Sequence, residues 1–431
     1  MDGMNNATLP TPALAESSTS RADWTTILVV GIAHCTSHFF HLMLAPLFPW
    51  IKTEFGLSYA ELGLVMTAFF VVSGIGQAVS GFAVDRFGAR PVLFTSLSLF
   101  VVAALCASAA TSYTWLVLAS GLAGLGNAAF HPVDFSILNA RMHKTRLGLA
   151  YSVHGITGNL GWALAPAFLG GLAVLFGWRA ALWGAAFWAA MVLTVVVVFR
   201  DALDESALHQ QAKAASNGGG AASVAQSSGA NSGAFDFLKL PAVWFSFGFF
   251  LTYAIALGGV QSFGGEAARQ LHDMPLSWGA MVLTLYMVAS ACGMVGGGLL
   301  VRNPERCEKV IGLGFGAAGV CALLVALTPV PPAGVLVLVL LMGFSVGLAG
   351  PSRDLLIKRA APPNATGRVY GVVYSGLDVG MAIAPAVFGW MMDHGLPVWV
   401  WIGIALFQAV LIVSALRVGK SAKAQQALLA V

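Results

Sequence analysis

Twelve long apolar runs, separated by short charged or Gly/Pro-containing loops, follow one another along the chain. Each run has about 20 or more residues, the length at which an α-helix crosses the hydrocarbon core of a bilayer. We number these runs as spans 1 to 12. They cover residues 25–50, 60–83, 91–111, 114–138, 147–173, 180–199, 241–264, 277–301, 309–329, 332–357, 367–391 and 396–416. The pattern predicts an all-α membrane protein with twelve transmembrane helices.

A polar segment separates the first six spans from the last six. Residues 201–238 are rich in Ala, Ser, Gly and Gln, a composition that forms flexible linkers because it buries too little apolar surface to fold. Polar tails flank the spans at residues 1–24 and 418–431. The predicted organisation is a disordered first tail, a six-helix bundle over residues 25–200, a linker, and a second six-helix bundle over residues 239–417.

The two halves repeat each other in sequence. At an offset of 219 residues, six pairs of identical residues in spans 4 and 5 and spans 10 and 11 align without a gap. The pairs are Tyr151 with Tyr370, Gly124 with Gly343, Pro132 with Pro351, Gly161 with Gly380, Pro166 with Pro385, and Gly170 with Gly389. A duplicated six-span unit is typical of secondary transporters, whose substrate site lies near the bilayer midplane between the repeats.

Composition and charge narrow the function classes. Hydrophobic residues make up 58% of the chain and charged residues 9%, against about a quarter charged in soluble domains, which excludes a water-soluble globule. The net charge of +4 is small and dispersed, which excludes nucleic acid as a partner. The five cysteines are scattered and indicate neither a disulfide framework nor a cysteine metal site.

The basic residues predict the orientation. Nearly all of them lie on one side of the predicted spans, and only Lys52, Arg179 and Arg269 lie on the other. Positive residues near span ends stay on the cytoplasmic side. We therefore expect a multi-pass protein of the cytoplasmic membrane with both termini and the linker in the cytoplasm.

The loop between spans 2 and 3 carries a motif. Residues 81–90 read Gly-Phe-Ala-Val-Asp-Arg-Phe-Gly-Ala-Arg, which resembles the signature G-x-x-x-D-R-x-G-R-R of the major facilitator superfamily, with Ala89 at a position that is usually basic. The resemblance implies two pseudo-symmetric six-helix bundles and a gating role for Asp85, Arg86 and Arg90. In this family the carboxylate meets the start of span 11, here near Gly367.

Three shorter phrases resemble a bacterial subgroup of this superfamily that includes fosmidomycin-resistance-type transporters. They are Phe130-His131-Pro132, the run from Pro351 to Asp354, and residues 49–58. Other family signals are incomplete, since Ser120 and Ala123 stand where proton-coupled relatives often carry Arg and Gln. The Gly/Pro series of span 5 returns in span 11, which favours tight helix packing over an export marker.

Burying an ionisable side chain in the membrane costs free energy, so the ionisable residues inside spans are functional candidates. His34, His38 and His41 fall within an arc of roughly 60° on span 1. Four roles are open for them: proton carriers, donors to an anionic substrate, ligands of a transition metal, or hydrogen bonds that join neighbouring helices. Without a nearby carboxylate or thiolate in sequence, the metal role is the weakest, and we predict no metal site.

The carboxylates of spans 4 and 11 suggest coupling and gating. Asp378, whose repeat mate is Asn159, lies eleven residues into span 11, so it must be protonated, paired or hydrated. Asp378, with His38, is the predicted proton-coupling site; a purely structural hydrogen bond is the alternative. Asp134 and Arg353 are repeat mates and are predicted to form a salt bridge at the inner gate, or to be interfacial charges.

Single polar residues complete a predicted substrate pocket with the span 1 histidines. They are Asn127 in span 4, Asn159 in span 5, Tyr253 and Gln261 in span 7, Tyr286 in span 8 and Tyr374 in span 11. Together they indicate a polar chamber suited to a small organic solute.

The sequence thus predicts a secondary active transporter that works by alternating access. Because no nucleotide-binding motif is present, we expect an ion gradient to supply the energy, with protons as the leading choice of ion. Export of a small polar or anionic organic compound is favoured; the alternative is import of an organic acid or a metal chelate. A membrane-embedded enzyme or sensor is the remote alternative. The expected partners are a small-molecule substrate, membrane lipid and a coupling proton, with no cofactor, and the expected state is a monomer.

Overall fold

The computed structural model describes residues 21–143, 146–204, 241–300, 307–360 and 367–429. These residues are mainly helical and form no strand. The helices are Arg21–His41 in span 1, Tyr59–Phe87 in span 2, Ala89–Ser108 in span 3, Tyr113–Asn127 and Phe130–Arg141 in span 4, Leu147–Phe176 in span 5, Trp178–Val198 in span 6, Pro241–Gly259, Val260–Gly264 and Gly265–Leu271 in span 7, Leu276–Leu300 in span 8, Cys307–Leu327 in span 9, Pro332–Ala360 in span 10, Gly367–Asp393 in span 11 and Pro397–Leu429 in span 12. Within the described residues, 11 helices are long and apolar enough to cross a membrane, and a bent pair in span 1 brings the number to 12. The predicted all-α fold with twelve spans is confirmed.

Span 1 is broken where the sequence predicts one continuous run. Its first helix ends at His41, a 3₁₀ turn covers Ala45–Leu47, and a second helix covers Phe48–Phe55 at an angle of 40°. Pro46 and Pro49 lie in this region, and because proline lacks the backbone N–H, the helical ladder is interrupted there. The break ends the helix that carries the three span 1 histidines immediately after His41.

Span 4 is interrupted in the same way. Its two helices meet at Ala128 and Ala129. Pro132 has no N–H to donate to the Ala128 carbonyl, and the hydroxyl of Ser80 in span 2 donates to that carbonyl instead, at 3.1 Å. The interruption separates Asn127 from the helix that carries His131 and Asp134.

The segment boundaries differ modestly from the predicted ones. The span 1 helix begins at Arg21, inside the predicted first tail, and the span 12 helix runs to Leu429, through most of the predicted second tail. Residues 200–203 form a 3₁₀ turn, whose Ala202 carbonyl accepts a hydrogen bond from the Thr26 hydroxyl at 2.8 Å. The rest of the predicted linker, residues 205–238, lies outside the described residues.

The sequence repeat is visible in the helix packing. A Cβ on Gly124 of span 4 would meet the Phe69 carbonyl of span 2, and one on its repeat mate Gly343 would meet the Tyr286 carbonyl of span 8. A Cβ on Gly161 would likewise meet the Cys35 carbonyl of span 1, and one on Gly380 would meet span 7. A methyl group at these positions would overlap backbone atoms, so only glycine permits the close approach.

Replacing Gly161 by alanine should therefore lower thermal stability. The new Cβ would overlap the Cys35 carbonyl and force spans 1 and 5 apart, and overpacking of this kind costs about 1–3 kcal/mol. The expected result is a lower apparent Tm of the detergent-purified protein. Gly171→Ala is the matched control, because nothing lies within 4 Å of a Cβ at that position; equal Tm values for the two variants would contradict the prediction.

Candidate functional site

A fully buried carboxylate joins three spans of the first bundle. Asp134 of span 4 is 0% exposed. Nε2 of His154 in span 5 lies 3.0 Å from its Oδ2 at hydrogen-bonding geometry, and Nδ1 of His34 in span 1 lies 3.0 Å from the same oxygen. His34 and Asp134 still have buried atoms, Nδ1 and Oδ1, that lack a hydrogen-bond partner among the described residues. The carboxylate is therefore shared between two imidazoles that sequence spacing does not connect.

Further imidazoles surround this group. The rings of His34 and His154 stack with centroids 3.5 Å apart, and the His131 ring lies 5.5 Å from His34 and 6.3 Å from His154. On the other side of His34, the rings of His38 and His41 follow at 4.4 Å and 4.8 Å steps. We call these five residues, His34, His38, His41, His131 and His154, the histidine column.

An amide network holds the end of the column at His41. The Asn127 amide nitrogen donates to the Ser73 hydroxyl at 2.9 Å, and its oxygen accepts from the Ser37 hydroxyl at 2.6 Å. His41 Nε2 lies 3.2 Å from the same oxygen, while Trp162 Nε1 donates to His41 Nδ1 at 3.3 Å. Because Nδ1 accepts, the proton of a neutral His41 sits on Nε2 and is donated to Asn127.

Span 5 accommodates the column by presenting a glycine. A Cβ on Gly158 would lie 2.7 Å from His38 Cε1 and 3.0 Å from His34 Nε2, so a side chain there would displace both rings. The His38 ring also stacks on Trp162, with centroids 4.2 Å apart. The structure thus brings His34, His38, His41 and Asn127 of the predicted pocket together, and adds His131, His154 and Trp162.

The second bundle carries a cation at the position equivalent to Asp134. The Arg353 guanidinium lies over the Tyr253 ring, 4.5 Å from its centroid, and 5.9 Å from the Phe250 centroid. Tyr286 of span 8 is buried, with 3% of its surface exposed. Tyr253 is the residue 219 positions after His34, so the contact of Arg353 with Tyr253 is the repeat equivalent of the contact of Asp134 with His34.

The described contacts do not include the predicted inner-gate salt bridge, which stays a prediction. The sequence pairs Asp134 with Arg353, whereas the described contacts of Asp134 are with His34 and His154, and Arg353 lies over aromatic rings of span 7. Complete burial of Asp134 inside its own bundle explains the difference, because the carboxylate takes the nearest imidazole donors.

The other predicted pocket residues lie apart from the histidine column. The Asn159 amide donates to the Gly155 carbonyl at 2.9 Å and lies 3.0 Å from Met294 Sδ of span 8. Gln261 is 2% exposed in the π-helical turn Val260–Gly264, and its amide has no hydrogen-bond partner among the described residues. The Tyr374 side chain lies outside the described part of the chain.

Asp378 lies at the contact between the two halves. It packs against span 2, where a Cβ on Gly74 would lie 3.2 Å from Asp378 Cβ. Among the described residues, none gives its half-buried carboxylate a hydrogen bond or an ion pair. Asp378 is thus separate from the column, at a helix pair formed by one span from each half.

The predicted gating loop is only partly described. The Asp85 side chain lies outside the described residues. Arg86 is exposed, with its guanidinium 5.3 Å from the centroid of the Phe87 ring, and Arg90 Nη2 lies 3.5 Å from Asp204 Oδ1. We call the end of the molecule that carries Arg86 and Arg90 the basic end.

A polar network that the sequence did not predict joins the halves at the end opposite the basic end. Asp393, at the end of span 11, accepts hydrogen bonds from the backbone N–H groups of Tyr59 and Ala60, both at 2.7 Å. The Tyr59 hydroxyl donates to Glu266 of span 7 at 3.0 Å and accepts from Gln270. The backbone N–H groups that Asp393 contacts lie in the first turn of the span 2 helix, where they have no partner within the helix and the helix dipole attracts a carboxylate. This network, the opposite-end seal, connects spans 2, 7 and 11 at that end of the molecule.

Replacing Asp393 by alanine should shift the equilibrium from the closed toward the open arrangement at this end of the molecule. Two helix N–H groups lose a charged acceptor, which should weaken the closed arrangement by about 1–3 kcal/mol, or roughly 5- to 150-fold in its ratio to the open one. Double electron–electron resonance between labels on Thr53 and His394, in a background without the five native cysteines, should show a larger population of long distances. Asp201→Ala at the basic end, with an exposed carboxylate, is the control, and an unchanged distance distribution in Asp393→Ala would contradict the assignment.

Comparison with known proteins agrees with this architecture. A sequence model described as Major Facilitator Superfamily matches residues 30–385 and 307–428. The chain is 25% identical over 202 residues to the fosmidomycin resistance protein of Escherichia coli (strain K12), covering 47% of this chain and 48% of that protein. It is 28% identical over 174 residues to a probable 4-methylmuconolactone transporter of Cupriavidus pinatubonensis, covering 40% of each. These matches span about half or less of each relative's length.

The fold is also found in a solved structure. A bacterial homologue of the human lysosomal transporter Spinster, in an inward-facing and occupied conformation, superposes with a TM-score of 0.67 at 15% identity, covering 94% of this chain and 97% of the other. At this identity the similarity establishes the fold.

Proposed function

The chain belongs to the Major Facilitator Superfamily, whose members are transporters and not enzymes, and on that basis we propose that it exports a small anionic organic compound across the cytoplasmic membrane by alternating access, driven by protons. The halves rock about a site between them. Import of an organic acid or a metal chelate is the alternative direction and cargo.

One observation carries the proposal: the two halves place ionisable groups of opposite sign, Asp134 and Arg353, at equivalent positions. The first bundle holds Asp134 against His34, and the second holds Arg353 over Tyr253. Arginine stays protonated in proteins, so position 353 carries a fixed positive charge within span 10. The guanidinium supplies N–H donors for a carboxylate or phosphonate group, and Tyr253 beneath it carries a hydroxyl.

The opposite-end seal supports the alternating-access part of the proposal. Asp393, Tyr59 and Glu266 tie spans 2, 7 and 11 together at one end. We assign the basic end to the cytoplasm, since positive residues are retained there, which places both termini and the linker on that side. The described conformation is then closed toward the outside, and opening outward requires the seal to break.

Proton coupling is assigned to Asp378. It lies on span 11 against Gly74 of span 2, and this helix pair separates or closes when the halves rock. A carboxylate there gains and loses water as the contact changes, which gives it two environments in the two states. The second proton site suggested by sequence, His38, stays a prediction.

Transport in proteoliposomes tests the function. Candidate organic anions are first ranked by their stabilisation of the detergent-purified protein, because a ligand of the folded form raises its Tm. The best binder is then followed in vesicles with an imposed pH gradient of either sign. Substrate movement opposite to the direction of proton flow supports export, and substrate movement in the same direction as proton flow supports the import alternative. Fluxes that do not depend on the pH gradient would contradict proton coupling.

A further inference from the structure

We propose that His34, His131 and His154 form a binding site for a divalent transition-metal ion such as Zn²⁺. The site lies inside the first bundle and does not depend on which organic compound is carried. The three side chains come from spans 1, 4 and 5, and the sequence gives them no common motif.

The geometry is close to that of a three-histidine metal site. Each imidazole offers one ring nitrogen, and the three nitrogens lie within 4.8 Å of one another. In a tetrahedral zinc site with Zn–N distances of about 2.0–2.1 Å, ligand nitrogens are about 3.3 Å apart. Ring rotations that bring the nitrogens closer by up to about 1.5 Å would complete the site.

Asp134 provides the outer partner that such sites use. Its Oδ2 accepts from His154 Nε2 at 3.0 Å, which fixes the tautomer of His154 and leaves the lone pair on Nδ1. A carboxylate that accepts from a ligating imidazole orients the ring and raises its basicity. The same carboxylate is within reach as a fourth ligand, since His34 Nδ1 lies 3.0 Å from Oδ2.

Unpartnered buried atoms point independently to a cation. Asp134 Oδ1 has no hydrogen-bond partner among the described residues and is buried in a residue that is 0% exposed, and His34 Nδ1, 3.0 Å from Oδ2, is not at hydrogen-bonding geometry. Leaving such groups without a partner is costly. A bound cation would satisfy the free carboxylate oxygen and the imidazole lone pairs at once.

The ligand set selects the class of ion. Imidazole nitrogens suit Zn²⁺, Cu²⁺, Ni²⁺ and Fe²⁺, whereas Mg²⁺ and Ca²⁺ prefer all-oxygen sites. Three histidines also leave a coordination position open for Asp134, water or an anionic group.

Metal titration of the purified full-length chain tests the site without any transport measurement. The protein is prepared through an affinity tag that contains no histidine, and binding of Zn²⁺ is followed by calorimetry and binding of Co²⁺ by its visible spectrum. We expect one ion per chain and the intense absorption of tetrahedral Co²⁺. His131→Gln should abolish that spectrum, and Asp134→Asn should weaken binding about 10- to 100-fold.

His394→Gln is the matched control, because His394 is exposed and lies outside the column. Thermal unfolding of each variant establishes that it is folded, and His154→Gln substitutes for any variant that is not. No binding to the wild-type chain, an octahedral Co²⁺ spectrum, or equal binding by His131→Gln and the wild type would overturn the site. Because organic-anion binding is measured separately, failure here leaves the proposed function untouched.

Discussion

Arg353→Gln is expected to weaken binding of the transported anion by about 10- to 150-fold, since a hydrogen bond to a charged group contributes about 1.5–3 kcal/mol. The guanidinium lies 4.5 Å from the centroid of the Tyr253 ring, and the neutral amide retains hydrogen bonding without the charge. The measurement is ligand affinity by calorimetry or thermal shift, followed by initial transport rates in proteoliposomes. Arg353→Lys should recover part of the affinity, because the charge returns without the planar stacking group.

Arg417→Gln serves as the matched control for the loss of one positive charge. Arg417 is exposed near the end of span 12, so its removal should leave affinity unchanged. Should Arg353→Gln bind the anion as tightly as Arg417→Gln does, the assignment of Arg353 to the substrate site is wrong. A substrate without negative charge would give the same result, and the ligand screen identifies that case directly.

Asp378→Asn should abolish accumulation driven by a pH gradient while exchange of substrate across the membrane continues. The amide cannot release a proton, so the step that couples proton movement to rocking is lost. The repeat mate at 159 already holds asparagine, which shows that the amide is compatible with the equivalent position in the other half. Counterflow and gradient-driven uptake are measured in the same vesicles, and the ratio of the two rates is the readout.

Two variants make the coupling experiment specific. Asp378→Glu keeps a titratable carboxylate and should retain gradient-driven transport. Asp201→Asn removes an exposed carboxylate in the 3₁₀ turn after span 6 and should change neither rate. Gradient-driven accumulation that persists in Asp378→Asn would show that the proton is carried elsewhere.

Sequence alone determined the architecture because its signals are local or periodic. A span needs about 20 consecutive apolar residues, and all twelve are visible without any knowledge of which helices touch. The Gly/Pro series that spans 5 and 11 share also predicted tight packing: a Cβ on Gly161 or Gly380 would overlap backbone atoms of spans 1 and 7. Prolines are equally local, although the break of span 1 near Pro46 and Pro49 was not expected.

Only the tertiary structure decided the partners of the buried polar groups. Asp134 is 100 residues from His34 and 20 from His154, and which imidazoles it meets depends on how spans 1, 4 and 5 rotate about their axes. The sequence therefore paired Asp134 with Arg353 and predicted no metal site, while the three histidine nitrogens within 4.8 Å emerge only after folding. The sequence did not predict the opposite-end seal formed by Tyr59, Glu266 and Asp393 for the same reason. The hydrophobicity of a span indicates that it lies in the membrane, but it does not indicate which face of the helix contacts the other half.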